Sequence, residues 1–278
     1  MNIDSLAIHH EPYIRLAFFA GIFLLVAVAE VFLPRRTLVA SKRKRWINNI
    51  LLILTNTIVL RLVFPILPVG VSLFCSQKEW GIMNYFQIPL WPAVICGVVL
   101  LDLTIYLQHK MFHLIPVFWR LHKVHHIDQD VDVTTGLRFH PLEMIISMII
   151  KMTAVAVIGA PAVSVVIFEI LLNGTTMFNH GNLNIPLTLD RIIRLVIVTP
   201  DMHRVHHSVI VEETNSNYGF NFSWWDRLFG TYRPQPENGH LQMKIGLNGY
   251  HDPKYLRLSQ MLIIPFASRS DNNKIDTN

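Results

Sequence analysis

Residues 120–127 read RLHKVHHI and residues 201–208 read DMHRVHHS, so His-x-x-His-His occurs twice, with His122 and His203 81 positions apart. On a helix, positions i, i+3 and i+4 share a face. His122, His125 and His126 can therefore converge, and so can His203, His206 and His207. QHKMFH places His109 and His113 four apart on a further helix face; RFHP contributes His140 and FNHGN contributes His180. Protonated imidazoles packed this densely beside apolar sequence would repel one another and lose hydration. A metal ion removes both difficulties, because it binds the neutral ring. A structural zinc takes four ligands, so eight to ten histidines imply two ions. Lys110 stands where the Glu of a His-Glu-x-x-His zinc peptidase would be, which excludes that chemistry. All-imidazole ligation suits iron, zinc, copper or nickel, and ligand type alone does not choose among them. His9, His10, His240 and His251 lie outside the pattern and read as incidental.

Apolar segments must carry these residues. Of 278 residues, 51% are hydrophobic and only 15% are charged, against roughly a quarter charged in soluble domains. The net charge of +5 is clustered rather than spread into a face for nucleic acid. Ile14–Leu33 is long enough, at about 1.5 Å per residue, to cross a hydrocarbon core of about 30 Å. It lacks the basic flank and cleavage site of a signal peptide. Residues 47–74 form a second apolar stretch, broken by Pro65 and Pro68, and residues 89–107 a third. Residues 142–172 form a fourth, which GAP at 159–161 turns into a hairpin. Residues 191–198 predict a short interfacial helix. Cys75 and Cys96 read as small buried hydrophobes. Residues 268–278 read as a disordered tail.

The expected class is therefore all-α and integral to the membrane. About four membrane-embedded helices support a cytoplasmic helical cap that holds a histidine-rich dimetal site. PRRTLVASKRKRW holds six Lys or Arg and predicts a cytoplasmic loop. The N-terminus is then outside. A hairpin at 142–172 keeps both His-x-x-His-His copies on the cytoplasmic face.

The three boxes, in this order after an apolar helix, resemble the fatty acid hydroxylase superfamily, also called the sterol desaturase family. DLTIYLQHKMFH, RFHPLE, FNHGN and HHSVIVEETNSNYGFNFSWWDRLFGTYR carry the resemblance, which covers roughly residues 90–233. It implies an N-terminal transmembrane region over 1–89, a catalytic domain over 90–235 and a C-terminal tail over 236–278. It implies two iron ions, with zinc able to take the same ligands in an overexpressed sample, and O2 as co-substrate. Metal ligation falls on His109, His113, His122, His125, His126, His140, His180, His203, His206 and His207. The resemblance further implies hydroxylation or desaturation of a lipid C–H bond. The electrons would come from a separate ferredoxin, cytochrome or reductase. Ether cleavage of the alkylglycerol monooxygenase kind is the alternative within the family. A metal-binding transporter is the alternative outside it; transporters place ionisable ligands inside spanning helices, whereas these boxes follow a span. Asp102, Asn182 and Asn217 are candidates to orient a ligating imidazole. Glu143 is a candidate to bond a ligating His or to pair with Arg138.

Overall fold

The computed structural model describes residues 10–267; His9 and the tail at 268–278 lie outside them. Helices make up the architecture, and among the described residues strand pairing is limited to isolated bridges, such as Ile197 with Phe222. The principal helices are α1 (Glu11–Phe32), α2 (Lys42–Val63), α3 (Pro68–Gln77), α4 (Leu90–Leu114), α5 (Pro116–His126), α6 (Pro141–Ile158), α7 (Ala162–Asn179) and α8 (Pro200–His206).

Among the described residues, five segments are long and apolar enough to cross a membrane: Glu11–Phe32, Lys42–Tyr85, Leu90–Leu114, Pro141–Ile158 and Ala162–Asn179. The second is interrupted after Val63 and resumes at Pro68, as the two prolines predict. The fourth apolar stretch is a hairpin, so it supplies two of the five. Gly159 closes α6 with φ +69°, a left-handed cap that favours glycine. The tip also needs glycine on its neighbour, since a Cβ at Gly81 would fall 2.4 Å from the Gly159 backbone. The tip thus rests on the α3–α4 connection. An apolar core of Leu101, Ile105, Val155, Val165, Phe168 and Phe220 binds α4, α6 and α7 together.

At the other end, α5, α8 and the loops after them form a cap. Prolines at the first turns of α5, α6 and α8 preset these helix starts. The side chain of Thr199 accepts from the Met202 N–H at the start of α8. The α1–α2 loop is sewn to the cap. Arg35 bonds Asp201 through two nitrogens at 3.0 Å each. The Val39 and Ala40 amides bond Asp130. Arg45 is fully buried, 2.6 Å from Asp128 and 2.5 Å from Asp132. Two of the six basic residues in this loop therefore serve as internal ion pairs rather than as free surface charge.

Two expectations shift. The short helix expected over 191–198 instead spans Leu187–Ile193. Pro186 starts it, and the Val198 amide is taken by the Asn221 carbonyl in an extended segment. Cys96 is exposed on α4 rather than buried.

Candidate metal centre

Helix α4 runs seven residues past the expected end of the third apolar stretch, to Leu114, and carries His109 and His113 on its last turns. Ile115 breaks the helix in extended conformation before Pro116, as a residue preceding proline prefers. Helix α5 then returns His122, His125 and His126 over the end of α4. His180 caps the C-terminus of α7, and α8 brings His203 and His206, with His207 as its C-cap.

Nine histidines form two groups, in each of which the potential ligand atoms lie within 4.8 Å of one another. The first group is His109, His113, His122, His126 and His206. The second is His125, His180, His203 and His207. All nine are buried. Each His-x-x-His-His copy is divided between the groups. In the first copy, His122 and His126 enter the first group and His125 the second. In the second copy the roles exchange: His203 and His207 enter the second group and His206 the first. At 100° per residue, i and i+4 stand about 40° apart on a helix while i+3 leans about 60° the other way, so one turn of helix serves two centres.

The hydrogen bonds test whether an ion fits. The Nδ1–H of His109 donates to the Tyr218 carbonyl at 2.7 Å, and that of His206 to the Ser216 carbonyl at 2.7 Å. A neutral imidazole carries one N–H, so both Nε2 atoms present lone pairs. Yet these Nε2 atoms face each other at 3.1 Å. Two lone pairs at that distance repel unless a cation lies between them. His122 repeats the arrangement: its Nδ1 donates to Glu143 Oε1 at 2.6 Å, and its Nε2 lies 3.1 Å from that of His109. In the second group, His180 donates from Nδ1 to Thr176 O at 2.7 Å, and its Nε2 lies 3.1 Å from those of both His125 and His203. The separation suits two nitrogens on one ion at bonds of about 2.1 Å. The Nε2 atoms of His113, His126 and His207 are buried with no protein partner, as ligand atoms should be.

Burial also fixes the protonation state. It pushes His122 down to about 3 and His180 down to about 4. His125, His126, His203, His206 and His207 are driven well below the ordinary imidazole range, by burial first and by one another second. The rings are held neutral, the form that binds metal.

The groups differ in outer support. In the first, four rings have an Nδ1 partner: Tyr218 O, Ser216 O, Glu143 and, for His113, Asn215 Oδ1 at 3.3 Å. In the second, only His180 does; Nδ1 of His125, His203 and His207 is buried without a partner. Phe139 stacks on His125 with centroids 4.5 Å apart, and Phe220 lies 4.8 Å from His109 and 5.9 Å from His203. Phe220 belongs to the apolar core of α4, α6 and α7, so the cage borders that core directly.

His140 joins neither group. It is the N-cap of α6, its Nδ1 accepting from the Leu142 amide at 3.1 Å, and its Nε2 lies 3.3 Å from the Leu262 carbonyl. Asp102, Asn182 and Asn217 touch no imidazole. Asp102 accepts from Asn221 Nδ2 and Trp225 Nε1, both at 2.8 Å, fastening the aromatic trailer to α4. Asn182 bonds the Arg36 backbone in both directions. Asn217 has φ +51°, a left-handed conformation that Asn tolerates, and its side chain holds Met202 O and Arg233. It thereby fixes the turn whose neighbouring carbonyls, Ser216 and Tyr218, take His206 and His109. Glu143 contacts His122, not Arg138. The sequence reading missed Asp226, which accepts the Tyr218 and Gly219 amides at 2.8 and 2.9 Å and steadies the same turn.

A sequence model of the fatty acid hydroxylase family matches residues 94–231. The ornithine lipid hydroxylase of Rhizobium tropici is 28% identical over 180 residues, 63% of this chain and 52% of the relative. The alkylglycerol monooxygenase of Homo sapiens is 27% identical over 169 residues, 57% of this chain and 35% of that protein. A very-long-chain aldehyde decarbonylase of Oryza sativa subsp. japonica is 26% identical over 184 residues, 63% and 68% of the two chains. The match thus spans about half of the first relative's length and about a third of the second's. No solved structure matches the chain.

Proposed function

Because the chain belongs to the fatty acid hydroxylase superfamily through residues 94–231, we propose that it is a membrane lipid oxygenase whose nine-histidine cage holds two iron ions. The observation that carries this reading is the paired Nε2 lone pairs of His109 and His206, 3.1 Å apart, which call for a cation. The ligands would be His109, His113, His122, His126 and His206 for one ion and His125, His180, His203 and His207 for the other. When bound, such an iron pair supplies the reductive activation of O2 needed to attack an unactivated C–H bond. The balance for hydroxylation is R–H + O2 + two electrons + two protons → R–OH + H2O. The electrons would come from a separate protein, a ferredoxin, cytochrome or reductase.

The protein's own part is positional. Tyr218 O, Ser216 O, Thr176 O and Glu143 hold the imidazoles in one tautomer, with Nε2 turned inward. Phe139 and Phe220 keep water from the rings on the side of the apolar core. A lipid chain would approach from that side. Ether cleavage begins with the same attack on a C–H bond, and the alkylglycerol monooxygenase relative keeps it as the alternative outcome.

The protein is an integral membrane protein with the centre at one end of its spans, His109 and His113 lying on the last turns of α4. The basic α1–α2 loop packs on the same cap as the histidines, and the hairpin tip lies at the other end against Gly81. This supports a cytoplasmic centre under the positive-inside rule. Cys introduced at Lys44 and at Glu237, both exposed, should react only from the cytoplasmic side, and Cys at Lys78 only from outside.

The test of function is mass spectrometry of membrane lipids made under 18O2, with metal content measured on the same preparation. Two iron ions per chain and one 18O in a lipid product are expected. Zero or one ion per chain after gentle purification refutes the dimetal cage.

A further inference from the structure

The loop joining α1 to α2 folds over the cap and leaves a cavity of about 680 Å³, a size that suits a small polar ligand or headgroup. Glu30, Arg36, Lys42 and Asn182 line it, together with Val39 and Leu241. The metal centre does not use this space, and of the ion pairs that close the cap Arg35–Asp201 borders it.

Three lining groups have unmet capacity. Glu30 is 5% exposed. Its Oε1 accepts the amides of Val133 and Asn182 at 2.7 and 2.9 Å. Its Oε2 is buried and accepts nothing. A buried carboxylate oxygen without a donor is costly. Arg36 uses Nη1 and Nη2 on the carbonyls of His240 and Met243, and its Nε is buried without a partner. Lys42 rests its ammonium 4.8 Å from the Trp46 ring centroid. Arg35 also borders the cavity, but Asp201 neutralises it. Within the lining one carboxylate, Glu30, therefore faces two cations, Arg36 and Lys42, with Asp130 acting on Arg36 from behind. Water could donate to Glu30, but it brings no anion to lie against the two cations. An amine beside an anionic group meets all three requirements.

The surroundings indicate how such a ligand arrives. Val39 and Leu241 are 80% and 64% exposed, and Phe32 and Leu33, at the end of α1, are 77% and 58% exposed. Exposed apolar residues around a polar cavity, at the end of a membrane-length helix, fit a lipid surface. Asn182 in the wall is two residues from His180, so a ligand here lies against the turn that carries one of the metal-binding rings.

We propose that this cavity binds the polar headgroup of a membrane lipid in which an amine neighbours a phosphate or carboxylate, and that this lipid is the substrate. The substrate assignment rests on the oxygenase reading above; the binding site does not. The amine donates to Glu30 Oε2, and the anion lies against Arg36 Nε and Lys42 Nζ.

The full-length protein is reconstituted in nanodiscs of equal parts phosphatidylethanolamine and phosphatidylglycerol. Lipid retained after detergent exchange is then counted by native mass spectrometry. Wild type is expected to retain phosphatidylethanolamine about tenfold over phosphatidylglycerol, the effect of one charged hydrogen bond. Glu30→Gln preserves the acceptor for Val133 and Asn182 and should abolish the preference. Lys42→Met should weaken retention of both lipids. Equal retention of the two lipids by wild type, or an intact preference in Glu30→Gln, overturns the site. Soluble phosphoethanolamine retained as tightly as phosphatidylethanolamine overturns the lipid assignment in favour of a free zwitterion. Metal content is read on the same samples. Metal without lipid preference refutes the headgroup site alone, and lipid preference without metal refutes the di-iron reading alone.

Discussion

Among the described residues, Glu143 is the one carboxylate that bonds a ring of the nine-histidine cage, through Oε1 at 2.6 Å from His122 Nδ1. A carboxylate on the far nitrogen makes the near nitrogen a stronger donor to a cation, and loss of such a partner costs about 10–100-fold in metal affinity. Glu143→Gln keeps a side chain of the same shape and still offers an oxygen to Nδ1, but it removes the charge that a cation bound at His122 would hold on this buried group. Bonds to charged groups contribute about 1.5–3 kcal/mol and neutral ones about 0.5–1.5 kcal/mol. The difference, about 1–1.5 kcal/mol, corresponds to about 5–13-fold in affinity. Any cost of burying the amide NH2 is present with and without metal, and largely cancels. The expected result is a loss of about tenfold in affinity for one ion of the two, read by chelator competition with metal content followed per chain. Glu143→Ala removes the bond altogether and should reach the upper end, about 100-fold. Asn215→Ala deletes a longer, neutral contact to His113 and should cost less than Glu143→Gln. Both ions leaving together in Glu143→Gln, or neither weakening, would refute the argument that His122 serves one group and is tuned by this carboxylate.

Other outcomes follow from the division of the boxes and from burial. His206→Ala and His203→Ala should each lower metal content by about one ion per chain while membrane insertion is retained, because each removes a ligand from a different group; simultaneous loss of both ions in each variant would show that the groups do not load separately. His140→Asn should leave metal content at the wild-type level, since His140 acts as a helix cap and Asn is a good cap; loss of an ion would return it to the ligand set. His240→Ala should likewise retain both ions, with a small fall in Tm from the packing it vacates; loss of metal would overturn its placement outside the cage. Acid should strip the centre. The rings of His180 and His122 titrate near 4 and 3 in the fold against 6.5 when exposed, so below pH 6.5 the unfolded chain binds more protons than the folded one. The contribution of these rings to folded-state stability is then fully present above about pH 6.5 and declines as pH falls toward 4. Thermal melts of metal-free protein should drop below pH 6.5; a Tm that rises on acidification from there would contradict neutral, buried imidazoles.

The histidine boxes were legible because their spacing is local: i, i+3 and i+4 can be read off one helix turn without knowing what the helix packs against. The hairpin at 141–179 was legible for the same reason, from Gly159 and Pro161 between two apolar runs. Which ring joins which ion was not legible, because the rotation of α5 and α8 about their axes is set by tertiary packing. His140 was drawn into the ligand set by residue type, yet its position just before Pro141 is that of a helix cap. The groups that orient the rings are mostly backbone carbonyls, of Tyr218, Ser216 and Thr176. Every residue carries a carbonyl, so the sequence holds no signal for them. The one trace is indirect: Asn217, between two of those carbonyls, is a residue type that tolerates φ +51°. Asp102 and Asn182 were plausible as orienting groups by type and proximity in sequence, but the fold uses them to fasten the trailer and the α1–α2 loop. Arg45 was hidden inside a basic run that reads as surface charge, although it is fully buried against Asp128 and Asp132.

The exchange of roles between the two copies of His-x-x-His-His explains why the motif is written twice. Each copy contributes a pair at i and i+4 to one group and a single ring at i+3 to the other. A copy that served only one ion would leave its third ring pointing away, buried and unpaired, at the cost of an unsatisfied polar group. With the copies placed face to face, the odd ring of each completes the set of the other. The two groups are then joined through the backbone of α5 and again through that of α8, so neither group can shift without moving a ring of its neighbour. Such coupling suits the iron pair proposed above, and it makes the spacing between the rings more constrained than their number. Inserting one residue between His122 and His125 would rotate His125 and His126 by about 100° relative to His122. The expected result is loss of both ions at once, in contrast to the single loss expected from His203→Ala or His206→Ala. Retention of one ion in the insertion variant, measured per chain on membrane-inserted protein, would show that one of the two groups does not depend on this copy.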